Sequence, residues 1–179
     1  LAEAEVYFGW LTREEFLAAT KLRWIQSPST GVDRFLTIPE LRDGDVILTS
    51  ARGTHRACLA EHALAMILAF TRGIRACVVR QQRHEWAIHE LRPKMVELTG
   101  GTLGIIGFGA VGRGLAERAR VFGLRILAVD VLPQDKPDYV AWLGGLDRLE
   151  TLLRESDYVV VAAPFTAETR GMLGKDKLA

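Results

Sequence analysis

The segment GIIGFGAVG, residues 104–112, constrains the fold more than any other stretch of this 179-residue sequence. Gly107, Gly109 and Gly112 have the spacing G-x-G-x-x-G and lie between an apolar run, TLGIIG, and a segment with helical periodicity. A second apolar run, RILAVD, follows the predicted helix and ends at Asp130. This order predicts a βαβ unit with parallel strands.

The glycine spacing is typical of a dinucleotide-binding loop. Gly107 would make the tight turn, Gly109 would let the backbone approach a pyrophosphate, and Gly112 would let the helix pack closely on the strand. We expect the amides of Ala110 and Val111, at the helix N-terminus, to donate hydrogen bonds to phosphate oxygens. The alternative is that the pattern marks only a turn, and the helix and the following acid favour the cofactor loop.

Asp130 adds information about the cofactor, because it lies at the end of the second predicted strand. A carboxylate at this position accepts hydrogen bonds from the adenosine ribose hydroxyls and repels a 2′-phosphate. No arginine follows it directly, since the next residue is Val131. The sequence therefore predicts NAD rather than NADP.

The segment before this unit also alternates between predicted strands and helices. Three apolar runs, AEVYFG, KLRWIQ and DVILTS, predict parallel strands, and Thr12 and Glu15 have the spacing of a helix capping box. Residues 57–82 have helical periodicity and predict one long helix, slightly broken at Gly73, with Trp86 beyond it as a packing anchor. A later run, DYVVVAAP, predicts a buried strand.

Pro93 and the pair Gly100-Gly101 predict a domain boundary. We expect one domain over residues 1–98, including the helix at about 57–82, and a second over residues 99–179.

The composition excludes several classes of partner. The net charge is +1, and acids and bases are interspersed, so no footprint for nucleic acid or an anionic membrane is present. The longest apolar run, residues 63–70, is far shorter than a membrane span of ~20 residues, and no signal peptide is evident. Cys58 and Cys77 suggest buried thiols in a reducing compartment, which predicts a cytoplasmic protein. The four histidines lack zinc-ligand spacing, so we expect no metal site.

Four stretches of the chain together resemble the D-isomer-specific 2-hydroxyacid dehydrogenases. The resemblance implies an α/β protein with parallel sheets and two lobes, a flavodoxin-like substrate domain and a Rossmann-type dinucleotide-binding domain, each partly present. It implies NAD as cofactor and a small 2-hydroxy or 2-oxo acid as substrate. The stretches are LRWIQSPSTGVDRFL, GTHRACLAEHALAMILAFTR, GTLGIIGFGAVGRGLAERARVFGLRILAVD and LLRESDYVVVAAPFTAETRGML.

The resemblance also assigns residues in the substrate loop. The amides of Thr30, Gly31 and Val32 would hold the substrate carboxylate, since a turn with exposed N–H groups can form an anion nest. The alternative is a plain turn in which Asp33 caps the residues that follow.

Further cofactor contacts are implied by the same resemblance. Ala163 and Pro164 would lie against the adenosine. Leu59 would face the nicotinamide, and a place in the core is the alternative for this residue.

No catalytic residue is predicted within this chain. The family uses an arginine in an Asn-x-x-Arg-Gly segment, an acid and a histidine, whereas Arg52-Gly53 and Arg170-Gly171 lack the preceding asparagine. Because the chain begins with Leu1, it suggests a piece of a longer protein, so we expect the catalytic residues beyond Ala179 and no activity from these 179 residues alone.

The leading hypothesis is an NAD-dependent 2-hydroxyacid dehydrogenase that works as a homodimer, the dimer being suggested by family analogy and the long apolar helix. The alternatives are a dinucleotide-sensing corepressor of the same fold and an inactive truncated product.

Overall fold

The computed structural model describes residues 1–132 and 135–178, so Ala179, the last residue of the predicted second domain, lies outside them. The chain divides into two compact units. The first comprises Leu1–His55 and Pro164–Met172, and the second comprises Arg56–Ala163 and Leu173–Ala179. This division differs from the predicted boundary between residues 98 and 99, because the helix that begins at Arg56 packs within the second unit.

The first unit is built on three parallel strands in the order β1-β2-β3. Helices follow the first two strands, and one face of the sheet packs with them around the buried side chains of Ile25, Phe35 and Leu41. The elements are β1 (Val6–Phe8), α1 (Arg13–Ala18), β2 (Trp24–Ser27), α2 (Asp33–Leu36), α3 (Pro39–Arg42) and β3 (Ile47–Ser50).

The predicted capping box at the start of α1 is confirmed. The Glu15 N–H donates to Thr12 Oγ1 at 3.2 Å, and the Thr12 N–H donates to Glu15 Oε2 at 2.8 Å. The hydrogen bond from the Thr12 N–H lowers the pKa of the Glu15 carboxyl. Two helix-terminal donors are satisfied by residues only three positions apart.

The second unit contains a four-stranded sheet in which every paired strand is parallel. Its spatial order is β6-β5-β4-β7, which places the first two strands of the sheet in chain order at its centre. This is the 3-2-1-4 order of a doubly wound dinucleotide fold, and it confirms the predicted α/β class. The elements are α4 (Arg56–Thr71), α5 (Ile74–Gln82), α6 (Ile88–Leu91), β4 (Thr102–Ile106), α7 (Ala110–Ala119), β5 (Arg125–Val129), β6 (Trp142–Gly144), α8 (Leu149–Glu155), β7 (Tyr158–Val161) and α9 (Lys175–Leu178).

The long apolar helix is broken where the sequence predicts. α4 and α5 meet at an angle of 63°, and Gly73 between them has φ +62°, a conformation that favours glycine. α4 packs on α7, where Gly114 leaves room for the side chain of Arg56, and Arg56 Nη2 lies 3.7 Å from Glu117 Oε2. The helix therefore contributes to the core of the second unit.

Two strands differ from the expectation. The prediction that β7 is buried is wrong, because β7 lies at an edge of the described sheet and Val161 is 50% exposed. The short strand β6 was missed, since its three residues are too few to produce a periodic pattern.

Within residues 1–132 and 135–178, no single helix has the length and apolar composition needed to cross a membrane. The bent pair α4 and α5 meets these criteria only when its two helices are taken together.

Candidate cofactor site

The glycine loop begins directly after β4, at the point where the strand order of the second sheet reverses between β4 and β7. Gly107 has φ +94°, and its N–H donates to the carbonyl oxygen of Val129 at 2.8 Å. A Cβ at this position would lie 2.5 Å from the backbone nitrogen of Ala163. Gly107 is therefore required both by the turn and by the close approach of the segment that follows β7.

The next two glycines serve different purposes. A Cβ at Gly112 would collide with the carbonyl oxygen of Gly107 and lie 3.1 Å from Ile105 Cγ2, so this glycine allows α7 to pack on the loop and on β4. A Cβ at Gly109 would have no described heavy atom within 4 Å. The space above Gly109 is open, and the backbone there is accessible to a ligand.

The start of α7 presents unpaired donors beside this open space. In the part of the chain that the structure describes, the N–H groups of Gly109, Ala110 and Val111 donate to no acceptor. α7 has ten residues, so its dipole adds positive potential at these amides. Open space, free amides and positive potential together fit the pyrophosphate of a dinucleotide.

Asp130 is half-buried at the end of β5, and both oxygens of its carboxylate are engaged. Oδ2 accepts from the Phe108 N–H at 2.6 Å, and Oδ1 accepts from the Leu132 N–H at 2.9 Å. The sequence predicts a contact between Asp130 and the ribose, but it misses the hydrogen bond from Phe108, through which the carboxylate also holds the glycine loop. Each oxygen can accept more than one hydrogen bond, so the ribose contact stays compatible with these bonds.

Arg113 is a second residue that sequence reasoning missed. Its guanidinium carbon lies 4.8 Å from the centre of the Phe108 ring, and Nη2 donates to the Asp135 carbonyl oxygen at 3.0 Å. Its position could have indicated this role, because Arg113 follows Gly109 by one helical turn and therefore lies above the loop. The side chain thus joins the glycine loop to the segment that follows Asp130.

The other predicted cofactor residues are divided between the units. Ala163 lies against Gly107 in the second unit, whereas Pro164 belongs to the first. Leu59, in the first turn of α4, is 46% exposed, so the alternative that it belongs to the core is wrong.

The predicted substrate loop lies between β2 and α2 in the first unit. Among the described residues, the N–H groups of Thr30, Gly31 and Val32 donate to no acceptor, and Thr30 Oγ1 donates to the Ala51 carbonyl oxygen at 3.4 Å. The alternative in which Asp33 caps the next residues is wrong, because α2 begins at Asp33 and Val32 occupies the N-cap position.

Among residues 1–132 and 135–178, the four histidines are not gathered into a metal-binding group. All four, His55, His62, His84 and His89, are exposed. The described residues contain no group of three or more His, Cys, Asp or Glu side chains that could hold a metal ion.

Comparison with known proteins identifies the family. Residues 64–179 match the family described as "D-isomer specific 2-hydroxyacid dehydrogenase, NAD binding domain". The chain belongs to this family. The cofactor predicted from the glycine loop and Asp130, NAD, is the cofactor of the matched domain.

Similar proteins include enzymes from several microorganisms. The chain is 33% identical to glyoxylate reductase of Korarchaeum cryptofilum (strain OPF8), over 92% of this chain and 50% of the relative. It is 30% identical to hydroxypyruvate reductase of Thermotoga maritima, over 94% of this chain and 53% of the relative. The structure of D-lactate dehydrogenase from Aquifex aeolicus, complexed with NAD and lactic acid, is 26% identical with a TM-score of 0.82, over 99% of this chain and 54% of that one. The chain therefore spans about half the length of these relatives.

Proposed function

We propose that the chain is part of an NAD-dependent oxidoreductase that interconverts a 2-hydroxy acid and a 2-oxo acid by hydride transfer. The observation that carries the proposal is the open space at Gly109, which is bordered by the free amides of Ala110 and Val111. The preceding loop residue, Phe108, donates its N–H to the Asp130 carboxylate. The names glyoxylate reductase and hydroxypyruvate reductase among the relatives support a small 2-oxo acid as substrate.

When bound, NAD supplies the hydride acceptor or donor. The amides of Gly109, Ala110 and Val111 would bind the pyrophosphate, and their fixed orientation removes the need for a cationic side chain there. The Asp130 carboxylate would accept hydrogen bonds from the ribose hydroxyls and repel a 2′-phosphate. By the family resemblance, Ala163 would contribute a small side chain against the adenosine, and its backbone lies close to Gly107.

Further contacts are proposed from the family resemblance. Pro164 would also border the adenosine, and the exposed Leu59 would face the nicotinamide. The free N–H groups of Thr30, Gly31 and Val32 would bind the substrate carboxylate.

The acid–base chemistry is proposed to come from residues outside these 179. Interconversion of a hydroxy acid and an oxo acid needs a general acid–base group and a cation that polarises the carbonyl. The sequence contains no Asn-x-x-Arg-Gly segment. We expect no oxidation of NADH by this chain with glyoxylate, hydroxypyruvate or pyruvate, and turnover with any of these acids would contradict this part of the proposal.

Cofactor binding can be tested separately from turnover. Titration of the labelled chain with NADH, followed by backbone amide resonances, is expected to shift the signals of Gly109, Ala110, Val111 and Asp130. Gly109→Ala should weaken binding at least about tenfold, since a methyl group would occupy the space of the pyrophosphate. Its melting temperature should change little, because no described atom lies within 4 Å of the added Cβ. NADH affinity unchanged by this substitution would refute the proposed site.

We also propose a homodimer. The support is exposed apolar surface in the second unit, where Phe70 is 85% exposed and Trp86, predicted as a packing anchor, is 88% exposed. A groove of about 610 Å³ between α5 and the segment around α6 adjoins Trp86. Surface of this kind marks interaction sites in proteins. Sedimentation velocity should show a dimer, and a monomer at all concentrations would exclude it.

A cytoplasmic location is proposed because neither Cys58 nor Cys77 forms a disulfide within the described residues. The expectation that both thiols are buried is wrong, since Cys58 is exposed and Cys77 is only partly buried. Cell fractionation of the natural host would test the proposed location, and recovery of the protein outside the cytoplasm would contradict it.

A further inference from the structure

Arg113 connects two segments of the proposed cofactor site, the glycine loop after β4 and the segment after β5. Its guanidinium lies over the ring of Phe108, which is fully buried in the glycine loop. At the same time it donates a charge-assisted hydrogen bond to the carbonyl oxygen of Asp135. One side chain therefore spans from the loop after β4 to the segment after β5.

The segment after β5 begins at Asp130 and is held at that end by the carboxylate itself. Asp130 accepts from the N–H groups of Phe108 and Leu132, and its own N–H donates to the Gly144 carbonyl oxygen at 3.0 Å. Phe108 thus takes part in both attachments, through its amide to Asp130 and through its ring to Arg113.

We propose that Arg113 is a positioning residue that fixes the Asp130 carboxylate toward the ribose of the bound dinucleotide, and so strengthens the preference for a cofactor without a 2′-phosphate. The inference rests on the proposed function. It concerns a residue that acts through Asp130 and Phe108, with no direct contact to the ribose.

The chemistry of the side chain matters for this role. A guanidinium is planar, so it can stack on the Phe108 ring and still direct an N–H toward the Asp135 carbonyl oxygen. A lysine ammonium could donate the hydrogen bond, but it could not form the planar stack. Arg113→Lys should therefore retain part of the effect, and Arg113→Ala should lose all of it.

Arg120 offers a matched control in the same unit. Its guanidinium carbon lies 5.1 Å from the centre of the Tyr139 ring. Tyr139 follows Asp135 in the connection between β5 and β6. Arg120→Ala removes a cation–π contact of the same kind without removing a contact to Phe108 or Asp135. A general loss of packing would affect both variants, whereas the proposed role predicts a difference between them.

The test is titration of the 179-residue chain and its variants with NADH and with NADPH, monitored by amide resonances. Arg113→Ala should weaken NADH binding about tenfold, the loss expected when a hydrogen bond from the ribose to the Asp130 carboxylate is no longer well formed. NADPH binding should change less than about twofold, so that the ratio of the two affinities narrows. Arg113→Lys should give an intermediate ratio, and Arg120→Ala should leave the ratio as in the wild type.

The outcomes separate this inference from the proposed function. If the wild type binds NADH and Arg113→Ala has the same affinity ratio, the inference is overturned and the proposed function stands. A larger loss for NADPH than for NADH would show direct contact with the phosphate and would also overturn it. If Arg113→Ala is unfolded, the ratio of NADH to NADPH affinity is compared between Arg113→Lys and the wild type. An unchanged ratio overturns the inference, and a narrower ratio supports it. A wild-type chain that binds neither nucleotide would refute both proposals.

Discussion

The two parallel sheets differ in how much of their surface is covered. In the second unit, every residue of β4 is buried, with α7 and α8 both packed against the strand. In the first unit, helices cover one face, while Val6, Trp24 and Ile47, aligned across the three strands, are exposed on the other. Parallel sheets usually have both faces covered.

The uncovered face of the first sheet is held together by polar contacts across its strands. Trp24 Nε1 donates to Thr49 Oγ1 at 2.7 Å, and Thr49 Oγ1 donates to Gln26 Oε1 at 2.7 Å. The centre of the second sheet has apolar packing instead, with Leu103, Ile105 and Ile126 fully buried. An apolar strand pattern therefore indicates a strand, whereas the burial of that strand depends on helices from other parts of the chain.

The largest difference between the sheets should follow from loss of core volume. Leu115→Ala removes a fully buried side chain between α7 and the second sheet, and we expect a loss of about 3–4 kcal/mol of unfolding free energy. Ile47→Ala, on the uncovered face where Ile47 is 62% exposed, should cost less than about 1 kcal/mol. Amide hydrogen exchange in β4 and β2 would measure each unit separately. Equal losses of unfolding free energy for the two variants would contradict the difference in burial between the two sheets.

A smaller effect is expected from the turn that ends β4. Gly107→Ala should destabilise the second unit by about 2–3 kcal/mol, because alanine is strained at φ +94° and its Cβ would be 2.5 Å from the Ala163 nitrogen. Gly109→Ala is the control within the same loop and should cost less than about 1 kcal/mol. Thermal unfolding of both variants would test this, and the expectation fails if Gly107→Ala is as stable as the control.

The smallest effect belongs to the first unit and is local. Thr12→Ala should cost about 1 kcal/mol, since the start of α1 loses its N-cap. The lowered pKa of Glu15 adds a pH dependence: its contribution to stability is present above the ordinary value of 4.5 and is lost as the pH falls through the lower folded-state pKa. Unfolding curves at a series of pH values should show this loss in the wild type and a weaker one in Glu15→Gln. The same acid sensitivity in both would argue against the capping box as its source.

Much of the candidate site could be predicted because its chemistry is local. The spacing of Gly107, Gly109 and Gly112 identifies the loop, and the strand before it and the helix after it are readable from periodicity. The capping box of α1 could be predicted for the same reason, since Thr12 and Glu15 are three residues apart. The contacts of Asp130 with Phe108 and of Arg113 with Asp135 were missed, because each joins residues 22 positions apart.

Local sequence pattern is enough to predict the parallel α/β class, the glycine loop, the acid after β5 and the break at Gly73, because backbone conformation and side-chain periodicity act over a few residues. Other features required the folded chain: β7 lies at an edge of the described sheet, Pro164 belongs to the first unit, and the guanidinium of Arg113 lies over the Phe108 ring. These features depend on which distant segments meet, and packing between such segments is set by the fold as a whole.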